Sequence, residues 1–251
     1  MGTYLYCVIA APRRPTVRRA RGLAGTGRVR VLDVDAGLFL AVADAPLDQY
    51  GEAAIARGLQ DLDWVSRAAV AHEAVIESFG GATAVLPMKL FTIFASDERA
   101  LAHVRGERQR IAGVVKRVAN QQEWGIRVVL DRSRAAGGAK KTPSRDGSGV
   151  AYLTRKKAQR DAVLELADRA RDTVAALFDR LASRARDATR RSATELPMQS
   201  GPLLLDAAFL VPRSRARSFQ ALVAREAKSL AKSGYGLTLS GPWPPYSFVQ
   251  D

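Results

Sequence analysis

The residues whose types and spacing could do chemistry are, first, two pairs of aspartates. Asp33 with Asp35, and Asp61 with Asp63, could in principle act as paired acid and base. We interpret the first pair as part of a hairpin and the second as the start of a helix, because Asp favours turns and helix N-caps. The glycine-rich run at 22–27 precedes a predicted strand instead of opening a helix, so it lacks the geometry of a phosphate-binding loop.

Histidine and cysteine, which serve most often in catalysis and metal binding, are scarce. His72 falls on or beside the apolar face of a predicted helix, and the other histidine, His103, falls in a later one. We predict that His72 packs in the core and hydrogen-bonds a backbone carbonyl. Cys7 stands in an apolar run, which predicts a buried, unreactive thiol. We therefore predict that the protein is not an enzyme and that it has no catalytic residue, metal or cofactor.

Length and composition indicate a soluble globular protein. The 251 residues allow one large domain or two small ones, and 47% are hydrophobic and 25% charged. No stretch approaches the roughly 20 apolar residues that span a bilayer, and the N-terminus lacks a signal layout. We therefore expect cytoplasmic residence and no membrane partner.

The charge is unusual. Lys and Arg number 39 against 25 Asp and Glu, a formal net charge of +14. Such a balance attracts polyanions or acidic protein surfaces. Since arginine greatly outnumbers lysine, the base composition of the genome is an equally good explanation.

The first half predicts strands and helices in irregular order. Pro87 interrupts the last strand, which we predict to be central, so a bulge or an edge is expected there. The predicted elements are strands Tyr4–Ala10, Val29–Val34 and Leu38–Val42, a helix from Leu62 to Gly80, strand Val85–Phe94, and a helix that Ser96 caps and that runs to Ala119.

The second half predicts the order β-α-β-β-α-β, which is that of a ferredoxin-like unit. Its elements are strand Trp124–Leu130, helix Val150–Arg190, strands Glu195–Met198 and Leu203–Val211, helix Ser214–Ser233 and strand Leu237–Ser240. The polar segment Arg132–Gly149 predicts a mobile insertion. This helical stretch can be one long helix or two or three consecutive ones, since periodicity does not decide. It carries one narrow apolar seam, made of Val163, Ala167, Ala170, Val174, Leu177 and Leu181.

The terminal run Gly241–Phe248 has three prolines in four positions, which predicts an extended segment that cannot be a central strand. It also carries Trp243, Tyr246 and Phe248, and burying each ring is worth roughly 1.5–3 kcal/mol. We therefore expect this tail to dock, either at a domain junction of its own chain or into a partner.

Five runs together resemble the GvpL/GvpF family of gas vesicle proteins. They are Tyr4-Leu5-Tyr6, Val85–Phe94, Glu123–Val128, Gly149–Leu153 and Gly241–Phe248. The resemblance implies an α+β protein of two domains, namely an N-terminal α+β domain of unusual topology and a modified ferredoxin-like C-terminal domain with extra helices. We place these domains at residues 1–121 and 122–240, with residues 241–251 as an extended tail packed at their junction.

The resemblance also implies a function. Proteins of this type bind the small hydrophobic shell protein, assist nucleation or assembly of the gas vesicle, prevent aggregation of that shell protein and lie on the gas-facing surface. Other gas vesicle accessory proteins are further expected partners, and we expect a monomer in isolation. The residues that carry the resemblance, as interaction or structural positions, are Pro87, Met88, Tyr152, Leu153, Trp243, Pro244, Pro245, Tyr246 and Phe248. Leu90-Phe91 departs from the family, whose members commonly have an aromatic residue followed by glycine at this point.

The alternative is a basic nucleic-acid-binding module, because a ferredoxin-like sheet can display aromatic side chains to RNA bases. Against it, Trp124 and Phe209 are the only aromatic residues in the predicted strands Trp124–Leu130 and Leu203–Val211. We therefore expect no specific nucleic acid partner.

Overall fold

The computed structural model describes residues 1–17, 20–130, 149–191 and 202–249. The chain divides into two compact units. Met1–Glu123 and Pro242–Asp251 form the first unit, and Trp124–Gly241 forms the second. The predicted insertion Arg132–Gly149 lies, except for its last residue, outside the described residues, as does the predicted strand Glu195–Met198.

The first unit is built on a five-stranded sheet around β1 (Gly2–Ala10), which is buried along its whole length. One edge of β1 pairs antiparallel with β3 (Leu38–Ala45), which in turn pairs with β2 (Arg30–Asp35). The β2–β3 hairpin turns at Gly37, whose φ of 79° lies in the region that glycine favours. The predicted hairpin and the predicted burial of Cys7 are confirmed.

The other edge of β1 pairs with two short strands where the sequence predicts one. β4 (Ala84–Pro87) pairs with Cys7–Ala10, and β5 (Ile93–Phe94) pairs with Thr3 and Tyr4. The prediction of one central strand is wrong, since these strands lie outside β1 in the sheet order β2-β3-β1-β4. The expected interruption at Pro87 is confirmed, because the ladder stops there and resumes after the turn at 88–92.

Five helices belong to the first unit: α1 (Leu47–Tyr50), α2 (Glu52–Gly58), α3 (Leu62–Ser78), α4 (Asp97–Gly106) and α5 (Arg108–Val118). The Asp61 side chain caps α3 and the Ser96 side chain caps α4, as predicted. The prediction of a single helix from Ser96 to Ala119 is wrong, because the helix is interrupted after Gly106 and the segment forms two helices, α4 and α5. Glycine at that point weakens helix propagation.

The second unit has a four-stranded sheet in the order β7-β8-β6-β9. Its strands are β6 (Gln121–Leu130), β7 (Asp187–Arg190), β8 (Leu203–Pro212) and β9 (Tyr235–Trp243), and its helices are α6 (Gly149–Ala182) and α7 (Ala216–Ala231). The core contains Trp124, Ile126 and Phe209 from the sheet, with Leu177 and Phe219 from the two helices. The fold is thus mixed α and β, as predicted.

The long helix ends earlier than the sequence predicts. Residues 187–190, which the helical prediction includes, form β7 and pair antiparallel with β8. Arg190 also lies over the ring of Phe178, 4.6 Å from its centroid. The predicted seam packs in the core from Ala170 onward, whereas Ala167 is exposed.

Candidate functional site

The terminal tail is held against the first unit by polar contacts as well as apolar ones. The Tyr246 hydroxyl donates to the Glu73 carboxylate, and the Arg117 guanidinium donates to the Phe248 carbonyl. Ser247 donates its backbone N–H and its hydroxyl to the buried Glu123 carboxylate, over 2.7 and 2.8 Å. Burial raises the pKa of Glu73. These contacts fasten Tyr246–Phe248, which forms a single 3-10 turn where the sequence predicts an extended chain.

The aromatic residues of the tail differ in burial. Phe248 is 4% exposed and Pro245 is buried, whereas Trp243 is 39% exposed and Pro244 and Tyr246 are half-buried. Trp243 ends β9, and it belongs to the first unit together with the rest of Pro242–Asp251. The three rings of the tail therefore differ in how much of their surface they bury, and Trp243 is the most exposed.

The backbone of Met88, which follows Pro87, hydrogen-bonds a buried aromatic cluster of Tyr4, Tyr6 and His72. The Tyr4 hydroxyl and His72 Nδ1 are 2.8 Å apart, and His72 Nε2 is 3.1 Å from the Met88 carbonyl oxygen. Because a carbonyl only accepts, Nε2 carries the proton and the Tyr4 hydroxyl donates to Nδ1. Burial lowers the pKa of His72, which favours this neutral form. The predicted bond from His72 to a backbone carbonyl is confirmed.

The same Tyr4 hydroxyl positions the turn between β4 and β5. It accepts the Phe91 N–H over 3.1 Å, and Phe91 has a φ of 65°, in the left-handed region that side chains rarely adopt. The Phe91 ring stacks on Trp64, with centroids 5.0 Å apart and planes 17° apart. The strained backbone at Phe91 is thus held by the Tyr4 hydroxyl on its N–H and by the stacking of its ring on Trp64, and glycine could not make the second contact.

Phe91 lies in the wall of an open apolar groove of about 760 Å³. We call this surface the α1–α2 groove. Leu47 and Leu59 are 49% and 50% exposed there. Apart from Glu52, the residues that line the groove have no charge; they are Leu47, Tyr50, Gly51, Glu52, Ile55, Ala56, Leu59, Leu90, Phe91, Ile93, Phe94 and Ala95. A groove with exposed leucines and so little charge suits an apolar segment of another molecule.

Sequence reasoning did not find this groove. Its walls come from two short helices and from the turn after Pro87, which the fold brings together. The Leu90-Phe91 pair, which departs from the pattern that the family resemblance implies, lies in its wall. Pro87 and Met88 instead line a different cavity of about 450 Å³, which they share with Val249 of the tail. The structure thus brings three parts of the family resemblance together: Tyr4 and Tyr6, Pro87-Met88 and the tail.

None of the predicted positions whose side chains the structure describes lines the α1–α2 groove. Tyr152 and Leu153 lie in α6, and their side chains are outside the described part of the chain. Among the described residues, no three His, Cys, Asp or Glu side chains come together as a metal ion would require. No helix within those residues is long and apolar enough to cross a membrane.

The nucleic-acid alternative is not favoured by the second unit. Trp124 and Phe209 are 3% and 0% exposed. Phe209 packs between Phe178 and Phe219 at centroid distances of 5.5 and 5.7 Å. Rings buried in this way cannot stack on bases.

Replacing Phe91 tests the strain directly. Phe91→Gly and Phe91→Ala both lose the stacking on Trp64, but only glycine tolerates the positive φ. We expect F91G to be more stable than F91A by about 1 kcal/mol in urea denaturation. Thr92 supplies the control, because its φ is not positive. There T92A should be more stable than T92G, since glycine increases the conformational entropy of the unfolded chain. Equal stability of F91G and F91A would contradict the assignment of strain.

The folds and the groove define a mixed α/β protein of two units whose open apolar surface suits the binding of another polypeptide. Comparison with known proteins identifies the family. The model described as "Gas vesicle synthesis protein GvpL/GvpF" matches residues 2–250, and the chain belongs to this family. It is not a known family of enzymes.

Curated relatives agree. The chain is 32% identical over 226 residues to gas vesicle protein L of Streptomyces sp. (strain CB03234), covering 85% of this chain and 80% of that relative. It is 27% identical over 264 residues to gas vesicle protein F of the same strain, covering 100% of both.

Two solved structures share the fold. The crystal structure of GvpF from Anabaena sp. PCC7120 has a TM-score of 0.71 at 18% identity, covering 100% of this chain and 96% of that one. The crystal structure of GvpF from Microcystis aeruginosa has a TM-score of 0.69 at 17% identity, covering 100% and 99%.

Proposed function

We propose that this chain is a gas vesicle accessory or minor structural protein that binds the small hydrophobic shell protein, assists nucleation or assembly and prevents aggregation of the shell protein. The observation that carries the proposal is the α1–α2 groove, an open apolar surface in a member of a gas vesicle family. In this role the protein is not catalytic, acts on the gas-facing surface and meets other gas vesicle accessory proteins as further partners.

The energetics of the groove favour capture of an apolar segment. Leu47 and Leu59 are about half exposed in the free protein, so a partner that covers them removes apolar surface from water. Complete burial of a leucine is worth roughly 1.5–3 kcal/mol, and these two therefore gain part of that each. The groove volume also lies within the roughly 300–1,000 Å³ of pockets that hold small ligands, so it admits a few side chains at a time.

The strained turn gives the groove a fixed wall before any partner binds. Phe91 is held by the Tyr4 hydroxyl on its backbone and by Trp64 on its ring. A preformed wall reduces the entropy lost when a partner docks. Apolar binding to a ready surface also fits a protein that holds a hydrophobic subunit before assembly.

The topology of the two units also supports the proposed relation to gas vesicle proteins. The second unit has the element order β6-α6-β7-β8-α7-β9 and the sheet order β7-β8-β6-β9. We infer a modified ferredoxin-like domain whose first helix is greatly lengthened. The first unit, with three helices inserted between β3 and β4, we infer to be the α+β domain of unusual topology.

Charge introduced into the groove should abolish capture of the shell protein. With purified shell protein of this organism as prey, the double variant L47E and L59E should retain less than a tenth of the wild-type amount in a pull-down, because each glutamate must lose water to enter an apolar contact. The matched control is L62E with V70E, two α3 residues that are 79% and 70% exposed and do not line the groove. The same pairs are then compared for suppression of shell-protein light scattering. Equal capture by both double variants would overturn the groove assignment, and no capture by the wild type would overturn the function.

A further inference from the structure

A cavity of about 570 Å³ in the second unit gathers three arginines around an apolar floor. Arg184 follows α6, Arg215 precedes α7 and Arg225 lies within α7. Phe219, Ala221 and Leu222 form the floor. We call this surface the arginine cavity.

None of the three guanidinium groups has a carboxylate partner within the described ranges. Nearby Arg180 is different, since it pairs with Glu226 over 2.8 Å. Glu226 is the only acidic residue between Ser214 and Ser240, and Arg180 already occupies it. The positive charge around the cavity is therefore not balanced by an ion pair among the described residues of this unit, and an anionic ligand could balance it.

The start of α7 adds to the excess of positive charge. Its first turn has no acidic residue, and Arg215 at the N-cap makes no side-chain capping bond. Helix N-termini attract negative charge, so basic residues at this end are unfavourable in the free protein. An anion in the cavity would offset both the arginines and this end of the helix.

The floor distinguishes between anionic partners. Phe219 is 1% exposed, so its ring offers no face on which a base could stack. Leu222 is half-buried and Ala221 is exposed, and these aliphatic groups suit an apolar side chain. A ligand with carboxylates and an aliphatic residue fits better than a phosphate chain.

Spacing indicates the size of the ligand. Ten residues separate Arg215 from Arg225, which is about 15 Å along a helix at 1.5 Å per residue. An extended peptide covers that distance in about four to five residues at 3.3 Å each. Acidic residues on either side of a short apolar centre would thus reach both arginines.

We propose that the arginine cavity binds an acidic peptide segment of a partner protein, with carboxylates on Arg184, Arg215 and Arg225 and an aliphatic side chain on Leu222. This site is in the second unit and has no residue in common with the α1–α2 groove, so it goes beyond the proposed function. It also gives three of the 39 basic residues a specific role.

Fluorescence anisotropy with labelled peptides tests the proposal on the full chain at 150 mM NaCl. The probe is the hexapeptide Glu-Glu-Leu-Leu-Glu-Glu, compared with Glu-Glu-Gly-Gly-Glu-Glu and Lys-Lys-Leu-Leu-Lys-Lys. We expect binding of the first probe, at least threefold weaker binding of the glycine probe and no binding of the lysine probe. In L222S the preference for leucine over glycine should disappear.

Charge reversal provides the decisive comparison. R215E with R225E should weaken binding of the first probe at least tenfold, whereas R217E with R160E, two exposed arginines that do not line the cavity, should weaken it less than threefold. Both pairs change the net charge equally. If reversal lowers the thermal midpoint, the pair R215Q and R225Q takes its place, with the same expected order. Equal losses in the two pairs would mean diffuse charge and overturn the site. Tighter binding of a ten-residue oligothymidylate, lost in the same variant, would overturn the assignment to a peptide.

Discussion

Replacing Phe248 with alanine should destabilise the first unit by about 3–5 kcal/mol, as expected when a buried Phe is truncated. Phe248 is 4% exposed, in a tail that Arg117 and Glu123 also fasten. Labelling of Cys7 gives the measurement, because it is the only cysteine and is fully buried in β1. When the labelling rate is proportional to the fraction of molecules in which the first unit is open, F248A should raise it at least about a hundredfold, since each 1.4 kcal/mol is a factor of ten.

Trp243 supplies the control for this result, since it is a larger ring in the same tail. It is 39% exposed, so W243A should cost less than about 1 kcal/mol and leave Cys7 labelling within about fivefold of the wild type. We expect F248A to have the larger effect because Phe248 is the more buried ring, since both variants remove an aromatic side chain. Equal labelling rates for the two variants would show that the end of the tail does not support the first unit.

Features that are determined by their own neighbouring residues could be predicted from the sequence. Asp61 and Ser96 cap helices because their short side chains place an oxygen within hydrogen-bond distance of the backbone N–H groups two or three residues ahead. Gly37 and Gly234 adopt positive φ at the ends of a strand and of a helix, where glycine has no steric cost. These signals are local, so they need no knowledge of the rest of the fold.

Strand β7 could not be predicted, because its conformation depends on distant residues. Residues 183–190 contain neither Gly nor Pro, so nothing in the sequence ends the long helix. Asp187–Arg190 becomes a strand because it pairs with residues 207–210 of β8. A short segment with little intrinsic preference for helix or strand adopts the conformation that its neighbours in the fold stabilise, here by hydrogen bonds from a strand.

The details of the tail depend on residues that are distant in the sequence. Apolar content identified a docked segment, and Phe248 is indeed buried. Which ring faces inward depends on where β9 ends and the 3-10 turn begins, and this depends on Glu73 and Glu123 from other elements. For the same reason the groove was beyond prediction, since its walls converge only in the folded unit.

Replacing Tyr4 with phenylalanine should destabilise the first unit by about 2–6 kcal/mol without creating a cavity. The Tyr4 hydroxyl donates to His72 Nδ1 and accepts the Phe91 N–H, so Y4F leaves a buried ring nitrogen and a partly buried N–H without this partner. Each such loss costs about 1–3 kcal/mol. Cys7 labelling and urea denaturation should report the change, and the Phe91 amide should lose protection from hydrogen exchange.

Y235F is the control, because it makes the same chemical change in the second unit. Among the described residues the Tyr235 hydroxyl has no hydrogen bond, so Y235F should lower the free energy of unfolding by less than about 0.5 kcal/mol. Because Y4F frees the turn that forms one wall of the α1–α2 groove, it should also weaken capture of the shell protein at temperatures where the unit stays folded. Unchanged exchange at Phe91 in Y4F would show that the hydroxyl does not hold the turn. Loss of exchange protection with undiminished capture would instead show that the groove binds without a preformed wall, and would separate the strain at Phe91 from the function of the surface.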